Sequence, residues 1–119
     1  ESGKRAVEDA RHNLAGFDRV RIEQGKVEAV LPRTGISEVD LVVLDPPRAG
    51  AGRKTVEHLA SLGARRIAYV ACDPAALARD LGYFRGGGYR VRTLRVFDLF
   101  PMTSHVECVA ILEPTTKGV

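Results

Sequence analysis

The sequence contains no tryptophan, one methionine and only two cysteines. Two cysteines are too few for the disulfide framework of a small secreted domain, and neither belongs to a C-x-x-C pair with zinc spacing. No apolar run approaches the roughly 18 residues of a membrane-spanning helix, and no basic-then-apolar leader is present. Internal repeats, low-complexity tracts and a Gly/Ser/Pro-rich linker are also missing, and no His/Cys/carboxylate cluster has metal-ligand spacing. These absences set the expectation of a reduced, cytoplasmic setting with no membrane partner and no metal. The initiator methionine is lacking as well. The chain opens Glu1-Ser2-Gly3, which sets the expectation of a stretch from inside a longer protein, or of a processed one.

What is present is the composition of a folded domain. Apolar residues make up 45% and charged residues 28%, outside the range of disordered tails. A length of 119 residues corresponds to one domain or part of one. The net charge of +3 is unevenly placed: residues 1–45 carry 7 Lys/Arg against 9 Asp/Glu, whereas residues 46–119 carry 11 against 6. A basic half suits a polyanionic partner, nucleic acid first, and an arginine-rich solvated surface fits the same numbers.

Hydrophobic periodicity predicts helices and strands in alternation. Ala6, Val7, Ala10 and Leu14 mark one face of a helix over residues 4–15, with Ser2 as its N-cap and Gly16 closing it. Val20–Glu23 reads as a short strand, and Val27–Leu31 as one or two helical turns ending before Pro32. Leu41–Leu44 is a continuous apolar run, the pattern of a strand buried on both faces. A second helix carries Val56, Leu59, Ala60 and Leu62, and Ile67–Ala71 is the next strand. A third helix, with Leu77, Ala78, Leu81 and Phe84 inward, stops at Gly86-Gly87-Gly88. Tyr89–Phe97 and His105–Leu112 complete the series. Alternating strands and helices predict an α/β fold with a mostly parallel sheet. The last two strands have no crossover helix between them, so the C-terminal strand is expected to be antiparallel.

Ligands of open α/β sheets bind beyond the carboxyl ends of the strands, and that rule selects three segments. The run 41–44 ends in Asp45-Pro46-Pro47-Arg48; prolines cannot continue a ladder, so the chain leaves the sheet with Asp45 at the ligand edge. A strand terminator whose Asp caps a turn fits as well. The strand 67–71 ends in Cys72-Asp73-Pro74, where Asp73 is a suitable N-cap and Pro74 a suitable first helical residue. A cysteine before a helix N-terminus is favoured as thiolate, against the negative charge of Asp73; a small buried apolar cysteine is the other reading. Alternation places His105 and Glu107 on one face of the last strand. A carboxylate in that apolar strand is costly unless it is used, as a general base, or paired with one of the many arginines. Arg90 and Arg92 share a strand face with Arg95 opposite, which suits phosphate contacts or an ordinary charged edge.

Taken in order, Asp45-Pro46-Pro47-Arg48-Ala49-Gly50, then Tyr69-Val70-Ala71-Cys72-Asp73-Pro74 running on to Ala78-Arg79-Asp80-Leu81, then Phe100-Pro101-Met102-Thr103-Ser104-His105-Val106-Glu107, are specific. The chain resembles the catalytic domain of the S-adenosylmethionine-dependent RNA uracil-C5 methyltransferases, over essentially Glu1 to Leu112. The resemblance implies a Rossmann-like class I methyltransferase sheet, mostly parallel with an antiparallel C-terminal strand. Residues 1–119 would be the C-terminal part of that domain, lacking its first strand–helix–strand segment and glycine-rich cofactor loop. The expectation follows that this chain alone binds cofactor weakly or not at all, and that exposed sheet edges leave it able to self-associate.

By the same resemblance the cofactor is S-adenosyl-L-methionine and the partner is tRNA or ribosomal RNA. Cys72 is implied as nucleophile and Glu107 as base; Asp45 and Glu1 as cofactor acids, the latter for the ribose; Pro46, Pro47, Arg48, Asp73, Pro74 and His105 as support. Asp73 and Ala76 stand where the family has Asn and Thr, Met102 where it often has His, and Lys26 after Gly25 where many methyltransferases have Asp. Other activities fit parts of the pattern: an amino-group nucleic-acid methyltransferase, although Arg48 occupies its aromatic position; a small-molecule methyltransferase; or a non-catalytic RNA-binding fragment.

Overall fold

The structure is a computed structural model that describes residues 1–98, 102 and 106–115. Its contacts divide the chain into two compact units, Glu1–Ile36 and Ser37–Val119. No helix among the described residues is long and apolar enough to cross a membrane.

The first unit holds α1 (Lys4–Asn13), α2 (Val27–Val30) and a following 3-10 turn over Leu31–Arg33. α1 starts at Lys4, where expected, but with a different cap. Its N-cap is Gly3, with no side-chain cap, and the Ser2 hydroxyl is unused because the Glu1 carboxylate takes the Gly3 N–H at 2.9 Å. The helix closes at Leu14 rather than at Gly16. Val20–Glu23 is not a strand. A strand requires a partner ladder, and this stretch finds only the ends of Glu1, through Glu1 N to Glu23 O and Gly25 N to Glu1 O. The chain also runs helically through Pro32 instead of stopping before it. Proline is tolerated in the first turn of the 3-10 segment, where an N–H would have no acceptor.

The second unit is a four-stranded sheet in the order β1-β2-β4-β3, where β1 is Leu41–Leu44, β2 Arg66–Ala71, β3 Tyr89–Phe97 and β4 Glu107–Pro114. The pair β1–β2 is parallel, and β4 runs antiparallel to both of its neighbours, β2 and β3. Three strands therefore point one way, and the C-terminal strand inserts between the last two of them in the opposite direction. Parallel neighbours need crossovers, and these are α3 (Arg53–Ala60) between β1 and β2 and α4 (Pro74–Gly86) between β2 and β3. α4 packs on β2 and β3, and α3 packs on α4.

One sheet face is sealed by these helices. Val42, Ile67, Tyr69, Ala71, Cys108, Ala110 and Leu112 are buried with Val56, Leu59, Leu77 and Phe84. Tyr69, Phe84 and Tyr89 form an edge-to-face series with ring centroids 6.5 and 6.3 Å apart, and the Tyr89 hydroxyl donates to Ala64 O at 2.7 Å. The Leu41–Leu44 run is not buried on both faces: Leu41 and Val43 are 58% and 66% exposed, because α3 and α4 lie on the Val42 side only. On α4 the buried positions are Leu77, Asp80 and Phe84, so an aspartate occupies the place expected for the Ala78–Leu81 flank.

A bulge changes the reading of β3. Val91 pairs with Leu112 and Thr93 with Ile111, leaving Arg92 as the extra residue. The shift brings Arg95, opposite Val109, onto the same face as Arg90, opposite Glu113. Arg66, Arg90 and Arg92 then converge on the Glu113 carboxylate at 3.5, 2.8 and 3.4 Å. The Arg90 hydrogen bond and the three positive charges hold that carboxyl below the usual carboxylate range, against partial burial. For Arg90 and Arg92 the charged-edge reading therefore holds, with the carboxylate supplied by the same sheet.

Candidate active site

Three of the residues selected from the sequence, Asp45, Cys72 and Glu107, lie at the carboxyl end of β1 and β2. Ala71 pairs with Cys108. This is the last pair of the β2–β4 ladder, so Cys72, the residue after β2, and Glu107, the first residue of β4, both lie at this end of the sheet. Glu107 and Phe97 are register partners, so Phe97 also stands at this end of the sheet. Strand alternation continued one residue past β1 puts Asp45 on the sheet face opposite α3 and α4.

Local chemistry explains each position. Pro46 and Pro47 end β1 by removing two ladder donors. Pro47 O then accepts the Gly50 N–H at 2.8 Å, closing a turn that leaves Asp45 and Arg48 exposed. Neither of these two makes an ion pair among the described residues. Asp73 caps α4 as expected, accepting from Ala75 N at 2.9 Å and Ala76 N at 3.4 Å, with Pro74 as the first helical residue. Its carboxylate is thereby turned onto the helix end, and half-buried Cys72 precedes the positive end of α4. The other thiol, Cys108, is buried behind the sheet, and burial pushes its pKa up. Glu107 is half-buried at the mouth of its strand rather than enclosed within it. The salt-bridge reading belongs to Glu113, and Glu107 forms no ion pair among the described residues.

The remaining selections are placed differently. Glu1 belongs to the first unit, where the Gly3 N–H and the adjacent amino terminus hold its carboxyl below the ordinary range. His105 lies outside the described residues, as do Phe100, Pro101, Thr103 and Ser104 of the third motif.

Sequence reasoning missed a group that fastens the site. Asp80 is fully buried. It accepts from the Tyr69 hydroxyl at 2.5 Å, Ala51 N at 2.7 Å and Gly52 N at 3.2 Å, and from Arg79 Nη2 at 3.0 Å. Arg79 Nη2 also donates to Ala49 O at 2.7 Å. Burial alone would raise the Asp80 carboxyl, but Tyr69, the Ala51 N–H, Arg79 and the Gly52 N–H hold it low. Burial and the neighbouring carboxylate push the Tyr69 phenol up. The available signal was a charged residue three positions after Leu77 and four before Phe84, on the apolar stripe of its helix.

A mixed sheet whose strands β1, β2 and β3 run one way with β4 reversed, connected by crossover helices, is the fold of a Rossmann-like methyltransferase domain. Residues 33–115 match the family model of the tRNA (uracil-5-)-methyltransferases, and the chain belongs to that family. It is 89% identical over its whole length to an uncharacterized RNA methyltransferase of Streptomyces coelicolor, of which it covers 26%. It is 41% identical to an uncharacterized RNA methyltransferase of Bifidobacterium longum, over 93% of this chain and 26% of that protein. The chain thus spans about a quarter of the length of these curated relatives. Among solved structures, the tRNA (uracil-54, C5)-methyltransferase of Pyrococcus abyssi in complex with S-adenosyl-L-homocysteine superposes with a TM-score of 0.74. The identity there is 33%, over 94% of this chain and 27% of that one.

Proposed function

We propose that this chain carries the nucleophile and base of an RNA methyltransferase that transfers a methyl group to carbon 5 of a uridine in tRNA or ribosomal RNA. The observation that carries this reading is that Asp45 and Cys72, directly after β1 and β2, and Glu107, the first residue of β4, lie at one edge of the sheet. Membership of the family and the uracil-C5 activity named for the Pyrococcus abyssi relative support it.

Carbon 5 of uracil is a weak nucleophile. The Cys72 thiolate forms a bond to carbon 6, and the displaced double-bond electrons collect as an enolate over carbon 5 and oxygen 4. S-adenosylmethionine, adopted from the homologue's S-adenosyl-L-homocysteine complex, supplies an electrophilic methyl group to that carbon when bound. Asp45 fits the amino group of its methionine end: the carboxylate is exposed at the strand end and its acceptor oxygens are not taken up by an arginine or lysine among the described residues. Glu107 then accepts the proton from carbon 5. The electrons of that C–H bond restore the double bond and expel Cys72 as thiolate, so the methyl group replaces the carbon-5 proton, which Glu107 now holds and passes to water, and the demethylated donor leaves as a thioether. The base has to leave its stack to lie between Cys72 and Glu107, and Phe97 beside Glu107 offers an apolar surface at that point.

The test uses the full natural polypeptide and RNA carrying 5-fluorouridine. Fluorine cannot leave carbon 5 as a proton, so the expected product is a denaturation-stable RNA–protein adduct that maps to Cys72 by mass spectrometry. Cys72→Ala should abolish both adduct and turnover, and Glu107→Gln should accumulate adduct on ordinary RNA. Methyl transfer to ordinary RNA at the normal rate by the Cys72 variant would remove the cysteine from the mechanism.

A further inference from the structure

We infer that Asp80 is a positioning residue: it locks the loop 45–52, which carries Asp45, to the helix that begins directly after Cys72. The inference deepens the proposed function and rests on it for the role of Asp45.

The lock acts on four consecutive residues. Ala49 O receives Arg79 Nη2, and Ala51 and Gly52 give their N–H groups to the Asp80 carboxylate. Gly50 lies between them at φ +81°, and a Cβ there would sit 2.6 Å from Arg79 Nη2 and 2.7 Å from Asp80 Oδ2. Glycine is thus required both for the backbone conformation and for the close approach. The far side of the lock is equally tied to the nucleophile. Tyr69, three residues before Cys72 on β2, donates its hydroxyl to Asp80 Oδ2. α4, which carries Asp80, starts from the Asp73 cap next to Cys72.

The carboxylate itself has no capacity left for a ligand. Oδ2 accepts from Ala51 and Tyr69, and Oδ1 from Gly52 and Arg79, which fills the roughly four acceptor sites of an ionised carboxylate. It is also fully buried. Asp80 therefore acts through the loop, by fixing where Asp45 stands relative to Cys72, and not on substrate. Buried charge-assisted networks of this kind have little tolerance for partial loss, so the loop should be either locked or free.

The test compares wild type with Asp80→Asn, which keeps the side-chain shape but turns acceptor positions into donors, and with Tyr69→Phe as a milder second variant. Two readouts are taken. Hydrogen exchange of the Ala51 and Gly52 amides reads the lock without reference to activity. Steady-state kinetics in the full natural polypeptide reads its consequence. The expected result is exchange at Ala51 and Gly52 at least tenfold faster in Asp80→Asn, with protection of the β2 amides kept. KM for S-adenosylmethionine should rise about tenfold, while kcat at saturating cofactor and KM for RNA stay within twofold. Tyr69→Phe should move the same quantities in the same direction by less. Unchanged exchange in the loop, or a fall in kcat at constant cofactor KM, would overturn the inference. If Asp80→Asn does not fold, Tyr69→Phe decides by the same criteria. If the wild type transfers no methyl group to RNA, the proposed reaction falls and the exchange measurement alone decides the lock.

Discussion

Asp80 shows how one buried side chain can be read for its pH response. The folded protein holds this carboxyl below the ordinary carboxylate range despite its burial, because every acceptor site is matched by a donor. A group with a lowered folded pKa contributes its full stability above its unfolded value, about 3.9 for Asp, and loses it as the pH falls through the folded value. The midpoint of thermal unfolding should therefore drop as the pH falls below about 4, and Asp80→Asn should flatten that drop while lowering stability at neutral pH. An identical acid profile in wild type and variant would remove Asp80 as the source. Residue-scale detail also separates the two glutamates of β4. Glu113 sits in an arginine cluster, and Glu107, six residues earlier on the same strand face, has none among the described residues.

At the scale of elements, α4 does the most to organise the site, and its start is set by a short-range code. Asp73 and Pro74 supply the cap and the first helical residue, so the helix end behind Cys72 is fixed locally. Removing the cap by Asp73→Ala should cost about 1 kcal/mol in denaturant unfolding, whereas Asp73→Asn, an equally good capping residue, should stay within a few tenths. A negligible loss in the alanine variant would mean that α4 is held by packing alone. This element, β2 and β3 were legible because capping, strand length and glycine stops act over a few neighbouring residues. Val20–Glu23 and the faces of β3 were not. A strand exists only with a partner, and the bulge at Arg92 is set by the ladder with β4, so neither is written in local periodicity.

For the second unit as a whole, stability is concentrated where Tyr69, Phe84 and Tyr89 meet beneath the sheet. Phe84 is fully buried and touches both tyrosines. Phe84→Ala should cost about 3–5 kcal/mol, a large part of the roughly 5–15 kcal/mol that holds a domain folded. The variant should show a strongly lowered midpoint or no cooperative transition by circular dichroism. A shift of less than about 1 kcal/mol would mean that this cluster is not the centre of the core.

By itself, the sequence determined the α/β alternation, the antiparallel last strand, the capped helix after Cys72 and the family, because each rests on neighbouring residues or on ordered motifs. Only the tertiary structure decided that Cys72 and Glu107 lie at the same end of the β2–β4 ladder, that Arg95 shares a face with Arg90, that Glu113 and not Glu107 takes the arginines, and that Asp80 closes the loop behind Asp45. Those facts depend on strand register and on contacts between residues far apart in the chain, for example Asp80 with Ala51 at a separation of 29. Periodicity assigns a residue to a face but does not choose its neighbour across the sheet; hydrogen-bond register and the burial of a charged group make that choice.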